Sequence, residues 1–595
     1  MCGIVAVIGE GVAEGSASLL REMTRTLAHR GPDDSGVHLS GDVGLGSRRL
    51  SVIDVEGGRQ PIESTDGRLR VIANGEIYNH RELRESLRAR GHTFVTGSDS
   101  EVVLHLYEEY GDRCVEHLRG MYAFAVADGD RVLLARDPLG IKPLYHARLD
   151  DGVLLFASEI KALLRVPGLD GELDPQAFAD TLVLGHPAGD HTYFRHIRSV
   201  PPGHTMTVSA AGAGAAVPFR TAPDPVGSGE EAAPVSFDEA VDLLIGRLGD
   251  AVRSHLVADV EVGLTLSGGL DSAVLATLMR RERGGPFRVY SVADSDGHPD
   301  LVQARALATS MGLPHQVSVL DFDTYLQSVP AYLWSAEAPA GLGGLPLYHL
   351  AGLVARDLKV CLNGEGADEL FGGYTEYLDR GPRARYLATQ LPKLRRLAAL
   401  PSPRAREILD GLSGERPYGD YLERVLADNM RDQLVRLHLE PLDKSSMAVG
   451  LEMRVPFMDD SLVRFVTSLP TTYKVDARFG FQKHLLRRAA LRLCGGDGPL
   501  ADSVLRRKIG APSSGVRLRG RLERLCERSL PDDYRERHEF GFCFDSNLEL
   551  LVFDLFTEIF VTGRGAYPHG LSLLDFIAER AGRPVASLVP AADVG

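Results

Sequence analysis

The pattern of apolar and polar residues divides the chain into two parts. From residue 2 to about 205, short apolar runs alternate with turn-forming residues, which favours antiparallel strands with few helices. Beyond residue 235, apolar residues recur every three or four positions, as at Val241, Leu244 and Leu248, and predict an amphipathic helix. Strand–loop–helix units follow. They predict a parallel α/β sheet whose functional loops lie at the carboxyl ends of its strands.

A stretch rich in Ala, Gly, Pro and Ser separates the two parts. It covers residues 208–234 and has no sustained periodicity, so it predicts a linker. We therefore expect one domain over residues 2–207 and a second over residues 235–595. Two domains also agree with the length, because 595 residues exceed what one hydrophobic core usually holds.

Composition and charge exclude several classes of function. Hydrophobic residues make up 44% and charged residues 25%, as in globular proteins. No apolar run approaches the ~20 residues of a membrane span. The net charge of −15 disfavours nucleic-acid binding, because phosphates would be repelled. The six cysteines form no paired framework and the N-terminus lacks a signal-peptide pattern, so we expect a cytoplasmic protein.

The first candidate for chemistry is Cys2, which follows the initiator Met1. Removal of Met1 would place a thiol and a free α-amine on one residue. With reference pKa values of roughly 8.5 for the thiol and about 8 for the amine, the amine can act as a base near neutral pH. The alternative is a small buried hydrophobic residue, a common fate of free cysteine.

Polar segments after Cys2 occur in a recognisable order. They are HRGPD at 29–33, RRLSVID at 48–54, NGEIYN at 74–79, SDSE at 98–101 and RDPLGIKPLY at 136–145. With them, residues 2 to about 204 resemble the glutaminase domain of N-terminal-nucleophile amidotransferases. The resemblance implies an αββα sandwich with Cys2 at the start of a central strand. In that fold Cys2 would attack the side-chain amide of glutamine, giving a thioester and free ammonia.

The same resemblance implies the groups that surround the thiol. The side chain of Asn74 and the N–H of Gly75 would stabilise the oxyanion. Arg49 would bind the glutamine α-carboxylate, since a guanidinium matches a carboxylate in planar geometry. Glu76 and Asp99 would bind the α-ammonium. Taken singly, charged residues of this kind are more often solvated surface groups.

A glycine-rich loop, SGGLDS at Ser267–Ser272, lies between a predicted strand and a predicted helix. Its backbone N–H groups and the helix N-terminus can bind an anion. The loop resembles the pyrophosphate loop of N-type ATP pyrophosphatases, which cleave ATP to AMP and pyrophosphate. It does not match GxxxxGK[ST], which disfavours γ-phosphate transfer. The ATP contacts that the resemblance implies are Leu266, Ser267, Gly268, Gly269, Asp271, Ser272, Val292, Asn363 and Gly364.

A second glycine-rich turn, NGEGADELFGGY at Asn363–Tyr374, carries three carboxylates in five residues. They would repel one another without a cation, so Asp271 and Asp368 are candidate Mg²⁺ ligands. Glu365 is a candidate for orienting or deprotonating ammonia. The alternative is an acidic helix start, which the helix dipole favours.

Two more motifs, DKSSMA at 443–448 and EMRVPFMD at 452–459, extend the resemblance. The order of all motifs resembles glutamine-hydrolysing asparagine synthetases over roughly residues 2–515. The resemblance implies ATP and Mg²⁺, with glutamine and a carboxylate acceptor as substrates. It also implies that Lys508 neutralises charge on the phosphates. Glutamine would be hydrolysed at Cys2, the carboxylate adenylated, and AMP displaced by ammonia.

Departures from the family pattern leave the acceptor open. Asn363 stands where serine is usual, the segment Glu337–Tyr348 is small and apolar, and no aromatic residue follows Lys508 closely. Aspartate is the leading acceptor, and another small-molecule or carrier-bound carboxylate is the alternative. A catalytically silent glutamine- or nucleotide-binding regulator is a third hypothesis, which the combined motifs oppose. Cys2 disfavours a β-lactam-forming synthetase, and SGGLDS disfavours a purine-pathway amidotransferase. Whether the chain forms a homodimer stays open.

Overall fold

The structure is a computed structural model that describes residues 2–221, 235–339, 341–379, 381–397, 399–412, 418–476, 480–495, 498–505, 515–585 and 588. Strands dominate up to Pro218, and helices around one further sheet dominate after Ser236. Among the described residues, no helix is both long enough and apolar enough to cross a membrane.

Two antiparallel sheets form the first domain. Its strands β1–β13 are Cys2–Ile8, Asp34–Ser40, Val43–Arg49, Ile62–Glu63, Leu69–Ile77, Gly120–Asp128, Arg131–Arg136, Tyr145–Arg148, Leu154–Ala157, Ile197–Ser199, His204–Ser209, Gly212–Ala213 and Val217–Pro218. One sheet has the order β10-β8-β9-β1-β3-β2. The other has the order β12-β11-β7-β6-β5-β4, with β13 paired to β11. The central strand β1 is buried along its whole length.

Apolar side chains of both sheets meet in one layer, which includes Ile4, Leu45, Ile72, Ala125 and Phe156. Helices lie outside this layer, with Ala17–Thr26 against β3 and Glu101–Tyr110 against β5. The helices of this domain are Val12–Gly15, Ala17–Thr26, His80–Ala89, Glu101–Tyr110, Ile160–Leu164 and Pro175–Leu184. The αββα arrangement with Cys2 opening a central strand is therefore confirmed.

Five parallel strands form the sheet of the second domain. They are β14–β18, at Val262–Thr265, Val289–Ala293, His315–Val319, Val360–Leu362 and Glu452–Arg454, in the order β16-β15-β14-β17-β18. The predicted parallel α/β sheet is confirmed. Helices surround it at Phe237–His255, Leu270–Arg283, Pro299–Ser310, Phe322–Ala336, Leu345–Val354, Ala367–Phe371, Gly381–Leu397, Pro403–Leu412, Tyr418–Asp428, Asn429–Leu439 (a π-helix), Glu440–Met447, Asp460–Ser468, Thr471–Lys474, His484–Cys494, Pro499–Leu505, Val516–Ser529, Tyr534–Arg537, Asn547–Thr557, Glu558–Thr562 (also π-helical) and Leu573–Ala581.

The first part of the expected linker, residues 208–218, belongs to the first domain. Val208 and Ser209 end β11, which pairs with β12 and β13 in the seven-stranded sheet. These partner strands have two residues each, so they are too short to produce a periodic pattern. Residues 222–234 lie outside the described part of the chain. The domain bounds remain predictions apart from this change.

Two apolar clusters contain residues of both domains. In one, Leu50 and Met121 of the first domain pack with Leu264 and Met447 of the second. The other contains residues of the first domain such as Phe194 together with Trp334 and apolar residues of the helix Asn547–Thr557. The two domains are therefore joined by continuous core.

Candidate active site

Strand pairing places Cys2 among the residues that the glutaminase resemblance implies. Cys2 opens β1 and pairs with Arg49 at the end of β3. The backbone N of Cys2 donates to Oδ1 of Asn74 at 3.0 Å, and Nε2 of Gln60 lies 3.7 Å from the Cys2 sulfur. Burial raises the pKa of the Cys2 thiol, and the charge of Arg49 opposes that rise. Neighbouring groups must therefore help to form the thiolate.

Asn74 and Gly75 have the features of an oxyanion site. Oδ1 of Asn74 is engaged by Cys2, while its Nδ2 is buried and has no hydrogen-bond partner among the described residues. Gly75 has a φ of 145°, and a Cβ at this position would lie 2.0 Å from the carbonyl oxygen of Met121. Only glycine fits there. An amide donor without a partner among the described residues and a closely approached backbone thus lie next to Cys2.

The predicted glutamine ligands are buried at the same end of the sheets. Nη2 of Arg49 donates to the carbonyls of Ile53 at 2.9 Å and Asp54 at 2.6 Å. Oδ2 of Asp99 accepts a bond from the backbone N of Ile77 at 2.7 Å. Glu76 is 3% exposed, so any charge on it needs a partner. The structure brings together all of the residues predicted for the glutaminase site.

The partner of Glu76 comes from the second domain. Nη2 of Arg454, at the end of β18, lies 3.4 Å from Oε2 of Glu76. Arg454 is fully buried, pairs with Glu452 and donates to the carbonyl of Val257 at 2.7 Å. Burial, with Glu452 and Asp99, raises the pKa of Glu76 well above its usual value, and Arg454 opposes this. The EMRVPFMD motif marked this segment in the sequence but gave Arg454 no role.

A second contact joins the loop around Asp54, whose carbonyl accepts a bond from Arg49, to the other domain. The backbone N of Asp54 donates to Oδ2 of Asp259 at 2.7 Å, and the N of Asp259 donates to the carbonyl of Val52 at 3.0 Å. Asp259 lies shortly before β14, the strand that leads into the SGGLDS loop. No sequence signal distinguished it from a surface carboxylate.

The SGGLDS loop has the strand–turn–helix form predicted for it. It connects β14 to the helix Leu270–Arg283. Gly268 has a φ of 73°, and a Cβ there would lie 2.4 Å from the carbonyl oxygen of Asp300. The hydroxyls of Ser267 and Ser272 lie 3.1 Å apart, at the start of the helix. Backbone donors and hydroxyls therefore converge at a helix N-terminus, as an anion site requires.

The remaining predicted ATP contacts surround this loop. Leu266 is buried immediately after β14, and Val292 is half-buried on the neighbouring strand β15. A Cβ on Gly364 would lie 3.2 Å from the Cβ of Asp271, so the two glycine-rich loops touch. Asn363 donates through Nδ2 to the hydroxyl of Thr265 at 3.0 Å. The predicted residues lie together, and their contacts with ATP stay predictions.

A lysine that sequence reasoning missed joins the two candidate metal ligands. Nζ of Lys483 lies 2.6 Å from Asp271 and 2.7 Å from Asp368. Burial alone would lower the pKa of Lys483, but the two carboxylates raise it above its usual value. The converging carboxylates fit Mg²⁺, which prefers hard oxygen ligands. Lys508 lies outside the described residues.

Buried ion pairs continue across the domain interface. Arg30 donates to the carbonyl of Cys2 at 3.1 Å and pairs with Asp443 of the DKSSMA motif at 2.8 Å. Lys142 pairs with the same carboxylate at 3.0 Å. Next to it, Lys444 pairs with Glu337 at 2.9 Å. The motifs without an assigned role therefore build the interface between the two sites.

Comparison with known proteins defines the class of this fold and site. Residues 1–217 match the family described as "Glutamine amidotransferase domain", and residues 244–553 match the family described as "Asparagine synthase". Among solved structures, the glutamine phosphoribosylpyrophosphate amidotransferase from B. subtilis complexed with ADP and GMP matches with a TM-score of 0.29 and 17% identity, covering 53% of this chain and 65% of that chain. The two family matches show that the chain is a glutamine amidotransferase domain joined to an asparagine synthase domain.

Curated relatives name the family. Asparagine synthetase [glutamine-hydrolyzing] 1 of Bacillus subtilis is 32% identical over 568 residues, covering 86% of this chain and 87% of that protein. The asparagine synthetase [glutamine-hydrolyzing] of Triphysaria versicolor is 30% identical over 506 residues, covering 82% of this chain and 74% of that protein. The chain belongs to the glutamine-hydrolysing asparagine synthetase family. It is a carbon–nitrogen ligase with glutamine as the nitrogen donor.

Proposed function

We propose that this protein forms asparagine from aspartate, with ATP as the activating nucleotide. The thiol of Cys2 attacks the side-chain amide carbon of glutamine, ammonia leaves, and water hydrolyses the thioester to glutamate. The observation that carries this proposal is the buried Nδ2 of Asn74 beside Cys2, which has no hydrogen-bond partner in the part of the chain that the structure describes. A purely structural asparagine would have both ends of its amide bonded, whereas this donor is available for an oxyanion.

The second half of the reaction takes place at the SGGLDS loop. An oxygen of the acceptor carboxylate attacks the α-phosphorus of ATP, and pyrophosphate leaves, which gives an acyl-adenylate. Lys483 and the loop N–H groups neutralise charge that builds on the phosphates. Asp271 and Asp368 would hold Mg²⁺, which supplies further positive charge there. Ammonia then attacks the acyl carbon, the C–O bond to AMP breaks, and the proton released by nitrogen goes to Glu365.

Ammonia reaches the second site inside the protein. Free ammonia in water is mostly protonated, and the protonated form is not a nucleophile. A route along the domain interface keeps ammonia neutral and raises its effective concentration. The apolar cluster that contains Met121, Ile141 and Met447 supports such a route, because it lies where the two domains meet.

A second candidate function is the same chemistry on a carboxylate other than aspartate. Glu337 is the single charged residue in the segment Glu337–Tyr348, and it is buried and paired with Lys161 and Lys444 at 2.9 Å each. It is therefore not free to bind the α-ammonium of aspartate. Leu342 of the same segment is buried as well. An apolar wall of this kind favours a less polar acceptor.

The test is AMP and amide formation by the purified protein with Mg-ATP, glutamine and a panel of carboxylates that begins with aspartate. Equimolar AMP and asparagine are expected. The Cys2→Ala variant should lose the glutamine-dependent reaction and keep the reaction with added ammonia. AMP formation with another carboxylate but not with aspartate would establish the second candidate. Glutaminase activity without AMP formation on any carboxylate would refute the synthetase half.

A further inference from the structure

A histidine that the motifs did not single out contacts the carboxylate proposed to receive the proton from ammonia. His438 lies near the end of the helix Asn429–Leu439. Its Nδ1 is 2.9 Å from Oε1 of Glu365, and its Nε2 is 3.2 Å from Oε1 of Glu369. The hydroxyl of Tyr374 donates to the same oxygen of Glu369. These four residues form one continuous row of polar groups.

The row has one accessible end and one buried end. The side chain of Glu365 is 29% exposed and that of His438 is 22% exposed, whereas that of Glu369 is fully buried. Glu365 also lies in the turn that touches the SGGLDS loop, because a Cβ on the preceding Gly364 would lie 3.2 Å from the Cβ of Asp271. The accessible carboxylate therefore belongs to the turn beside the proposed adenylation site, and the buried carboxylate contacts the other nitrogen of the histidine.

The charges of the row favour an imidazolium. Burial alone would lower the pKa of His438, but Glu369 and Glu365 outweigh it and raise the pKa to about 9. At neutral pH both ring nitrogens then carry protons, and each donates to a different carboxylate. Such charge-assisted hydrogen bonds are stronger and more directional than neutral ones.

We infer that His438 is a positioning residue that holds Glu365 in the orientation needed to receive the proton from the attacking ammonia. This inference rests on the proposed function. When the C–N bond forms and AMP leaves, the proton passes from nitrogen to Glu365, while His438 keeps its own protons. Its contribution is geometric, because a carboxylate fixed in one rotamer meets the reacting nitrogen more often than a freely rotating one.

A metal ion is the competing occupant of this cluster. Ligand atoms of Glu365, Glu369 and His438 lie within 4.8 Å of one another. However, the two carboxylates contact opposite nitrogens of one ring, and a single ion can bind only one of these nitrogens. One ion would therefore replace only one of the two contacts, whereas an imidazolium satisfies both.

Two substitutions of His438 separate its contacts. The amide nitrogen of asparagine can occupy the place of Nδ1, so His438→Asn keeps the bond to Glu365. The amide nitrogen of glutamine reaches the place of Nε2, so His438→Gln keeps the bond to Glu369 instead. Both variants lose the positive charge, and they differ by one methylene. The difference between them therefore reports the contact with Glu365.

The measurement is kcat and KM for ammonia in AMP and amide formation, with saturating Mg-ATP and the acceptor that the wild-type protein uses. We expect His438→Asn to stay within about threefold of wild type and His438→Gln to lose on the order of 10²-fold in kcat. Neither His438 variant should change the KM for ATP or the glutaminase rate. A Tyr374→Phe variant, which removes one hydroxyl at the Glu369 end of the row, should also stay within about threefold of wild type.

Several results would overturn the inference. Equal losses in both His438 variants would make the contact with Glu365 irrelevant, as would full activity of His438→Gln. Stoichiometric zinc that is present in wild type and lost in His438→Gln would establish the metal site instead. If the wild-type protein does not form AMP with any of the carboxylates tested, the proposed function is refuted, and this inference with it.

Discussion

Replacement of Arg454 by glutamine should destabilise the protein strongly at neutral pH. The arginine is fully buried and pairs with Glu452, and it also lies 3.4 Å from Glu76. Glutamine keeps part of the volume and removes the charge, so two buried carboxylates lose their cation. Breaking a buried ion pair on one side costs about 3–5 kcal/mol. Because the two domains share continuous core and should unfold as one unit, with an entropy of about 2.1 cal/mol/K per residue, the melting temperature should fall by about 2–4 °C.

The pH dependence of this loss follows from Glu452. Burial opposes its ionisation, but Arg454 outweighs burial and holds the pKa of Glu452 at about 2, below the usual 4.5. A carboxylate with a lowered folded-state pKa contributes stability above pH 4.5, and that contribution is lost as the pH falls toward 2. Without Arg454 the folded-state pKa of Glu452 rises above 4.5, and its charge then opposes folding at neutral pH.

The assay is the melting temperature of wild type and Arg454→Gln between pH 5 and pH 8, with Arg454→Lys as the variant that keeps the charge. The difference in melting temperature between wild type and Arg454→Gln should be largest near pH 8 and should decrease toward pH 5, because the variant takes up protons on folding. Arg454→Lys should lose less. A difference in unfolding free energy below about 1 kcal/mol that is the same at every pH would refute the reasoning.

Three further predictions concern the two sites. Gly75→Ala should abolish glutaminase activity and leave ammonia-dependent amide formation intact, because the new Cβ would meet the carbonyl of Met121 at 2.0 Å; loss of both activities would contradict a local effect. Lys483→Met should lower AMP formation by about 10²-fold or more while the glutaminase rate stays within twofold, which parallel assays of AMP and glutamate would test. Asp259→Ala should raise KM for glutamine about threefold to tenfold, since it removes one hydrogen bond worth about 1 kcal/mol to the Asp54 loop, and an unchanged KM would separate that loop from glutamine binding.

Much of the site could be predicted because its groups are local to motifs. A strand followed by SGGLDS and a helix already fixes where the N–H groups of the loop point, and the structure has that form. Cys2, Asn74 and Gly75 could likewise be placed, because their motifs lie near strand ends in the glutaminase fold that the sequence resembles. Local chain geometry is sufficient for such groups.

The groups that could not be predicted act across long stretches of chain. Lys483 contacts an aspartate 212 residues away, and Arg454 donates to a carbonyl 197 residues away. His438 meets Glu365 across 73 residues. A single lysine, arginine or histidine on a helix or at a strand end has no local pattern that distinguishes it from a surface charge. Such partners follow only from the packing of distant elements.

The apolar clusters shared by the two domains have a consequence for cooperativity. Leu50 and Met121 belong to the same cluster as Leu264 and Met447, and Phe194 belongs to the same cluster as Trp334. Unfolding either half would expose apolar surface on the other, so neither half has an independent equilibrium between folded and unfolded states. Calorimetry should therefore record one transition for the whole chain. A substitution that destabilises the synthetase core should then lower the unfolding free energy of the glutaminase domain by the same amount.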